Sequence, residues 1–140
     1  MRKFRLEMLT PERNFFSGEA ESLTLKAPDG ETEILAGHMP VVIGLKPDMI
    51  KINTGSEIKY CANGEGSAVV EGDKVFVMCQ TFEWPEEIEY GRVKKAIEEH
   101  TEKMRRANTM ADYRVSKMTI ARAEARLKVK KFIDENKNKK

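Results

Sequence analysis

The chain has 140 residues, of which 40% are hydrophobic and 34% charged, with a formal net charge of +2 at pH 7. This composition is typical of a soluble globular protein with one domain, or one small domain and an appendage, and it excludes a disordered chain. No run of about 18 apolar residues is present, so the sequence predicts no membrane-spanning helix. The N-terminus MRKFRLEML lacks the apolar core of a signal peptide, which predicts an intracellular location.

The net charge conceals an asymmetry between the two parts of the chain. Residues 1–84 contain 9 Lys/Arg and 13 Asp/Glu, a net charge of −4, whereas residues 85–140 contain 16 and 10, a net charge of +6. An acidic front and a basic back indicate two units with different surfaces.

Cys61 and Cys79 are the only cysteines. Their spacing fits neither a zinc site nor a disulfide framework, so both are expected to be reduced thiols in strands.

The first unit shows the alternation and turn spacing of an antiparallel β-sandwich or barrel. The first strand is predicted to end at Thr10–Glu12, before a short segment and a turn at Phe15–Gly18. Further turns are predicted at Pro28–Gly30, Gly37–Pro40, Lys46–Asp48, Thr54–Gly55, Asn63–Gly64 and Gly72–Asp73. The predicted strands are Phe4–Met8, Leu23–Leu25, Ile34–Leu35, Val41–Ile43, Met49–Asn53, Ile58–Ala62, Ala68–Val70 and Val75–Gln80.

The pattern changes to a helical period after Trp84-Pro85. Val93, Ile97, His100 and Met104 form one stripe of an amphipathic helix. Thr109 with Asp112 three residues later is typical of a capping box, so a second helix is expected to start there and to end near Ile133, before a frayed terminus at 136–140. Its apolar face is predicted to hold Val115, Met118, Ala125, Val129 and Phe132. Two helices with a short connection predict an antiparallel hairpin.

The residues supply little for catalysis. HExxH, GxSxG and GxxxxGK[ST] motifs are absent, which excludes the zinc-hydrolase, serine-hydrolase and P-loop chemistries that these motifs carry. His38 lies in a turn and His100 on the helical stripe, so they are interpreted as an interface residue and a packing residue. No catalytic residue and no metal site are predicted.

The basic second unit leaves two readings open. A solvated helix surface explains its interleaved Lys, Arg and Glu residues, but the excess of cations also fits a binding module for nucleic acid or acidic lipid. Arg122 and Arg126 are four residues apart and share a helical face, where two guanidinium groups could meet one phosphate.

Several stretches, in order along the chain, are similar to the epsilon subunit of bacterial F-type ATP synthases. They are TPERNFFSGEAESLTL, DGE, ILAGHMPVVIGL, EGDKVFVM and RAEARLKV. The resemblance covers residues 4–129 and implies a ten-stranded β-sandwich followed by an α-helical hairpin. We therefore expect a rotor-docking β-sandwich domain at 1–84 and a regulatory helical hairpin at 85–140.

The resemblance implies a non-catalytic central-stalk subunit on the cytoplasmic side of the cell membrane, attached only through the complex and binding no nucleic acid. The gamma subunit and the c-subunit ring are the implied partners, with the alpha/beta subunits added when the helical hairpin extends along gamma and obstructs ATP hydrolysis. Glu31, in the DGE loop, corresponds to the contact with the c ring. His38 lies in a corner that the resemblance puts beside this loop, as a second interface candidate.

Some members of this family bind regulatory ATP through the motif Ile/Leu-Asp-x-x-Arg-Ala. The matching residues are Ile88, Glu89, Arg92 and Val93, so glutamate replaces aspartate and valine replaces alanine. The resulting candidate ATP-binding residues are Ile88, Glu89, Arg92, Arg122 and Arg126, and no other cofactor is implied.

The alternative function is a free-standing sandwich that binds nucleic acid or acidic lipid through its basic tail. Tail-dependent binding that weakens steeply with salt would distinguish it from a salt-tolerant complex with gamma.

Overall fold

Ten strands form two five-stranded sheets that pack face to face. The structure is a computed structural model and describes residues 2–138. One sheet, sheet A, has the order β2-β1-β9-β8-β5, and the other, sheet B, has the order β10-β7-β6-β3-β4. The strands are β1 (Phe4–Leu9), β2 (Asn14–Ala20), β3 (Ser22–Ala27), β4 (Gly30–Leu35), β5 (Val41–Leu45), β6 (Asp48–Asn53), β7 (Ile58–Asn63), β8 (Gly66–Glu71), β9 (Lys74–Cys79) and β10 (Phe82–Glu83).

The sandwich core follows from the period of two in the strands. Phe4, Leu6 and Met8 of β1 are buried, while the residues between them point outward. The same alternation buries Ile50 and Ile52 of β6. The predicted sandwich is therefore confirmed, with one pairing that the alternation does not reveal: β1 lies parallel to β9, whereas the other strand pairs are antiparallel.

The strand end predicted at Thr10–Glu12 is confirmed, but the turn predicted at Ser17-Gly18 is wrong. Ser17 and Gly18 lie inside β2, paired with Glu7 and Leu6 of β1. The chain reverses at residues 10–13, where the backbone N–H of Thr10 donates to the Arg13 carbonyl at 2.9 Å. The Thr10 hydroxyl accepts a hydrogen bond from the Arg13 backbone N–H at 3.0 Å. The Thr10 side chain satisfies a backbone group of this connection, so the reversal needs no glycine.

The β3–β4 connection is the tight turn that its sequence predicts. Ala27 pairs with Gly30, so Pro28 and Asp29 form a two-residue loop. Proline fixes its own φ near the value that a turn needs, and Gly30 has φ +136°, a conformation that residues with a side chain rarely adopt. This turn holds the DGE segment at the exposed end of β3 and β4.

The strands are followed by two helices, α1 (Tyr90–Arg105) and α2 (Met110–Asn138), after a short 3-10 turn at Pro85–Glu87. The predicted helix start is confirmed, because the Thr109 hydroxyl accepts a hydrogen bond from the Asp112 backbone N–H at 3.1 Å. α2 continues past the predicted end near Ile133 as far as Asn138, so the expected fraying of residues 136–138 is wrong. Lys139 and Lys140 lie outside the described residues.

The buried face of α2 contains Ala125 and Val129 of its predicted stripe but differs from that stripe in its first half. Val115 and Met118 are exposed, with 65% and 38% of their surface accessible, whereas Ser116 and Ala123 are buried. α2 packs against α1 and against β6 and β7 of sheet B. α2 therefore contacts a helix and a sheet at the same time. Small residues that face either of them become buried, and a single apolar stripe does not describe the contact.

Three aromatic rings close the sandwich at the junction with the helices. The Phe15 ring stacks on Phe82 and on Trp84, with centroid distances of 5.0 and 4.2 Å. Arg13 donates to the Phe82 carbonyl at 2.9 Å and to the Glu87 carboxylate at 3.2 Å. The β1–β2 connection is therefore fixed to β10 and to the end of the 3-10 turn.

Between residues 2 and 138, no helix has both the length and the apolar character needed to cross a membrane.

Candidate functional site

The helical hairpin (residues 90–138) lies on the outer face of sheet B. Met49 and Ala62, a cross-strand pair of β6 and β7, point away from the core towards the helices. They join an apolar cluster that is separate from the sandwich core. Its buried members are Ala62, Ile88, Val93, Ala123 and Val129, and Met49, Tyr60, Ile97, Leu127 and Ile133 pack around them.

Ion pairs surround this apolar cluster. Arg122 reaches Glu65, in the β7–β8 connection, with a nitrogen–oxygen distance of 2.9 Å, and Arg126 pairs with Glu83 of β10. Lys128 reaches Asp48 of β6 at 2.7 Å in the same way. Within the second unit, Lys130 donates to the Pro85 carbonyl of the 3-10 turn at 3.2 Å, and the Tyr90 hydroxyl of α1 donates to Asp134 of α2 at 3.1 Å. The excess of cations in the second unit thus meets carboxylates that the first unit supplies.

The candidate ATP-binding residues are distributed over three environments. Ile88 is 5% exposed and belongs to the apolar cluster. Glu89 and Arg92 lie in solvent at the start of α1 and pair with each other at 3.4 Å. Arg122 and Arg126 bind carboxylates of the sandwich. The structure therefore places Arg122 and Arg126 side by side but gives Arg92 a different ionic partner.

The two interface candidates occupy opposite ends of β4. Glu31 lies beside the Pro28-Asp29 turn and pairs with Lys26 across it, which holds the pKa of the Glu31 carboxyl below its ordinary value. His38 follows the other end of β4, and its imidazole Nδ1 lies 2.8 Å from the Met39 carbonyl oxygen. Glu31 and Leu35, the last residue of β4, are about 13 Å apart, since each strand residue adds roughly 3.3 Å. The corner that holds His38 is thus not beside the DGE loop.

The outer face of sheet A is an exposed apolar surface, which the sequence interpretation missed. Val42, Val69 and Phe76 are neighbours across β5, β8 and β9, and none belongs to the buried core. Val42 is 69% exposed, and Met39 in the preceding connection is 77% exposed. The signal was present in β9, where Val75–Cys79 is apolar at every position, a pattern typical of strands that are covered on both faces. Exposed apolar patches of this kind mark interaction surfaces.

The groups that could support chemistry are isolated from one another. A cleft of about 790 Å³ opens between the end of α1 and the start of α2, with His100 and Ser116 in its wall. Nδ1 of His100 is buried there and has no hydrogen-bond partner among residues 2–138. Burial raises the pKa of the Cys79 thiol to about 12, and it also raises the pKa of Cys61. Within the same residues, no group of three His, Cys, Asp or Glu side chains could hold a metal ion.

Comparison with known proteins extends over both units. The family model for the ATP synthase, Delta/Epsilon chain, beta-sandwich domain matches residues 3–85. The ATP synthase epsilon chain of Ruminiclostridium cellulolyticum is 40% identical over 127 residues, which cover 91% of this chain and 95% of the relative. The epsilon chain of Caldicellulosiruptor saccharolyticus is 33% identical over 138 residues, covering 99% of this chain and 98% of the relative.

The fold is also found in a solved assembly. A chain in the structure of the Euglena gracilis mitochondrial ATP synthase, OSCP/F1/c-ring in rotational state 1, aligns with a TM-score of 0.76. The alignment covers 88% of this chain and 78% of that chain at 20% identity, so it supports the fold alone. The family model accounts for the sandwich and the relatives account for the sandwich and the helices together, so the chain belongs to the ATP synthase epsilon chains.

Proposed function

We propose that the chain is a non-catalytic rotor subunit of a membrane ATP synthase, which links the gamma subunit to the c ring and couples proton transport to ATP synthesis. The observation that carries this proposal is the similarity to epsilon chains over the sandwich and the helices alike. In this proposal residues 1–84 are the docking domain and residues 85–140 the regulatory domain. The chain works on the cytoplasmic side of the cell membrane, to which it is attached only through the complex.

The two outer faces of the sandwich suggest a division of labour. The helical hairpin covers sheet B, whereas the apolar outer face of sheet A is uncovered in the isolated chain. We assign the outer face of sheet A, with Met39 and the neighbouring His38, to the gamma subunit. Glu31 at the opposite end of β4 then contacts the polar loops of the c ring. The separation of Glu31 and His38 supports two contacts with different partners.

A single charged substitution on sheet A tests this assignment. Val42→Asp places a carboxylate in an interface that buries apolar surface, so we expect binding to gamma to weaken at least about tenfold. Ile58→Asp is the matched control, because Ile58 is an aliphatic residue 51% exposed on β7 of sheet B, away from the face assigned to gamma. Binding is measured by co-purification with gamma and the c ring at low and high salt. No stable complex with the unmodified chain would contradict the rotor role, and equal binding of both variants would contradict the assigned face.

The proposed regulatory role of the helical hairpin is tested in the assembled enzyme. Ending the chain after Trp84 removes both helices and leaves the sandwich strands intact. We expect this truncated subunit to assemble and the rate of ATP hydrolysis to increase, because the extended hairpin no longer reaches the alpha/beta subunits. An unchanged hydrolysis rate in a correctly assembled complex would remove the inhibitory role.

Regulatory ATP at Ile88, Glu89, Arg92, Arg122 and Arg126 stays a prediction. In the docked hairpin, Arg122 and Arg126 already bind carboxylates, which does not favour a further anion at the same groups. Titration calorimetry of ATP into the full chain, with Arg92→Ala as the control, tests the site. Binding that Arg92→Ala abolishes would support it, and the absence of heat at millimolar ATP would remove it.

The alternative of a free-standing module for nucleic acid or acidic lipid has less support from the same contacts. Three cations of α2 are paired with the sandwich, and they are no longer available as a one-sign surface. Binding of polyanions through the tail would fall steeply between 50 and 200 mM salt, by about 10³-fold or more for six phosphate contacts. The complex with gamma, which buries apolar surface, should persist over that range.

A further inference from the structure

The contact between the helical hairpin and the sandwich is independent of the sandwich core. The core is closed by residues of the two sheets alone, and the cluster under the helices is a second, smaller one. Four of its five buried members are alanines or valines, and the larger residues around them are only partly buried, so apolar burial stabilises docking only modestly. Charged contacts therefore have a large share in holding the helices on sheet B.

The charged contacts at this interface differ from the ion pairs elsewhere on the surface. The side chains of Arg126 and Glu83 are 26% and 25% exposed, and those of Arg122 and Glu65 are 32% and 27% exposed. In comparison, Arg2 and Asp73 form an outer pair at 66% and 56%. Solvent screens a largely covered ion pair less than an exposed one, so each interface pair contributes more free energy to docking than an exposed pair would.

The carboxylates at this interface are covered enough that each needs its cation partner. One oxygen of Glu65 is buried without a hydrogen-bond partner among the described residues, while its other oxygen binds Arg122. Asp48 is 14% exposed at its side chain and receives hydrogen bonds from Lys128 and from the backbone N–H of Met49. Removing the cation from a largely covered carboxylate leaves an uncompensated charge, which is unfavourable.

We propose that Asp48, Glu65 and Glu83 form an internal carboxylate latch that docks the helical hairpin without any nucleotide. The carboxylates of Glu65 and Glu83 occupy the guanidinium groups of Arg122 and Arg126, where a polyphosphate would otherwise bind. ATP then competes with the latch and does not strengthen docking. This proposal rests on the proposed function only in taking Arg122 and Arg126 as the groups that phosphates would meet.

The experiment follows the opening of the interface through a thiol that only the helices cover. Ala62→Cys introduces it on β7, at a position 4% exposed beneath α1 and α2, and its alkylation rate by iodoacetamide reports the undocked population. Cys61 and Cys79 are buried in the sandwich core, and Cys61 reports the opening of the sandwich itself. The full chain is used in nucleotide-free buffer, and fragmentation mass spectrometry separates adjacent thiols.

In this background, E65Q/E83Q removes two negative charges while keeping the shape of both side chains. We expect the introduced thiol to react at least about tenfold faster, because two partly covered ion pairs between the helices and the sandwich are lost. The matched control E19Q/E71Q neutralises two exposed carboxylates of β2 and β8, away from the helices, and should leave the rate unchanged.

The thiols at positions 62 and 61 report separately on docking of the helices and on stability of the sandwich. Faster reaction at position 62 with an unchanged rate at Cys61 supports the latch, whether or not the chain is later found on gamma. Cys79 is not used for this comparison, because the charge of Glu65 contributes to its raised pKa. An unchanged rate at position 62 in E65Q/E83Q overturns the latch, and so does equal acceleration at Cys61, which would assign the carboxylates to sandwich stability. Millimolar ATP should leave the rate unchanged or raise it in the chain that retains both glutamates, and protection by ATP would overturn the latch.

Discussion

At the scale of single residues, the two cysteines show how burial determines reactivity. Both lie in the sandwich core, and burial raises the pKa of Cys79 to about 12. The thiolate is the reactive form, so we expect neither thiol to react with Ellman's reagent at pH 8 in the folded chain, and both to react in denaturant. Rapid reaction of one thiol per folded chain would show that the end of β9 is open to solvent.

Glu31 gives a prediction for the pH dependence of the proposed c-ring contact. The hydrogen bond and charge of Lys26 hold the pKa of Glu31 below its ordinary value of 4.5, so the carboxylate stays ionised in weak acid. The stabilisation from this pair is complete above the unfolded-state pKa and is lost as the pH falls through the lower, folded-state pKa.

Lys26→Gln is therefore expected to raise the pKa of Glu31 towards 4.5, as measured by carbon-13 NMR titration of the carboxyl. Lys51→Gln is the control, since Lys51 acts on Glu31 only through long-range charge and should cause a smaller change. Equal changes in the two variants would mean that the contact between Lys26 and Glu31 does not form in solution.

At the scale of secondary-structure elements, Gly66 fixes the approach of β8 to β9. A Cβ at this position would lie 2.0 Å from the Met78 carbonyl oxygen and 2.6 Å from the Cys79 Cα, both backbone atoms of a paired strand. We expect Gly66→Ala to destabilise the chain by about 3 kcal/mol, because the strands must separate locally. Gly44→Ala is the control, with nothing within 4 Å of its Cβ. Urea unfolding curves measure both, and equal midpoints would contradict this close approach of the two strands.

The elements also show what the sequence predicts and what it leaves open. Alternation located β1 and β6, because each has one face in the core and the pattern follows directly from that burial. β9 was located as a continuous apolar run after the turn at Gly72-Asp73. The sequence pattern divided β2 wrongly at Ser17-Gly18, since two consecutive small residues resemble a turn, whereas pairing with Glu7 and Leu6 of β1 fixes them as strand. The two-residue β10 was missed because its existence depends on pairing with β7, a contact between distant parts of the chain.

The candidate site was predictable only in part for the same reason. The residues of the possible ATP site and of the interface could be named from local motifs. Their partners could not, because Glu65, Glu83 and Asp48 come from three separate connections and strands and meet α2 only in the folded chain. The spacing of Arg122 and Arg126 indicated a shared helical face, but it did not indicate that carboxylates of the same chain would occupy that face.

At the scale of the whole molecule, the two separate apolar clusters predict that the sandwich folds without the helices. A chain ending after Trp84 retains the core cluster, including the Phe15–Trp84 stack. We expect cooperative thermal unfolding by circular dichroism at a melting temperature within about 10 °C of the full chain. The exposed Met49 and Tyr60 should lower its solubility. A truncated chain without a cooperative transition would show that sheet B depends on the helices.

The aromatic stack at the junction determines where the helices can pivot. Stacking of Phe15 with Phe82 and Trp84, together with the contact between Arg13 and Glu87, fixes the chain to the sandwich as far as Glu87. A movement of the helices would therefore pivot at the next two residues, Ile88 and Glu89, whose backbone is extended.

α1 runs from this pivot point to the far end of the hairpin and α2 returns towards it, since the Tyr90 hydroxyl of α1 donates to Asp134 of α2. The distance to the far end is therefore the length of α1, 16 residues or about 24 Å at 1.5 Å per residue. A rotation of about 20° at Ile88 and Glu89 would move that end by about 8 Å. A small change in the backbone angles of two residues is thus enough to move the α1–α2 connection by more than the pitch of a helix.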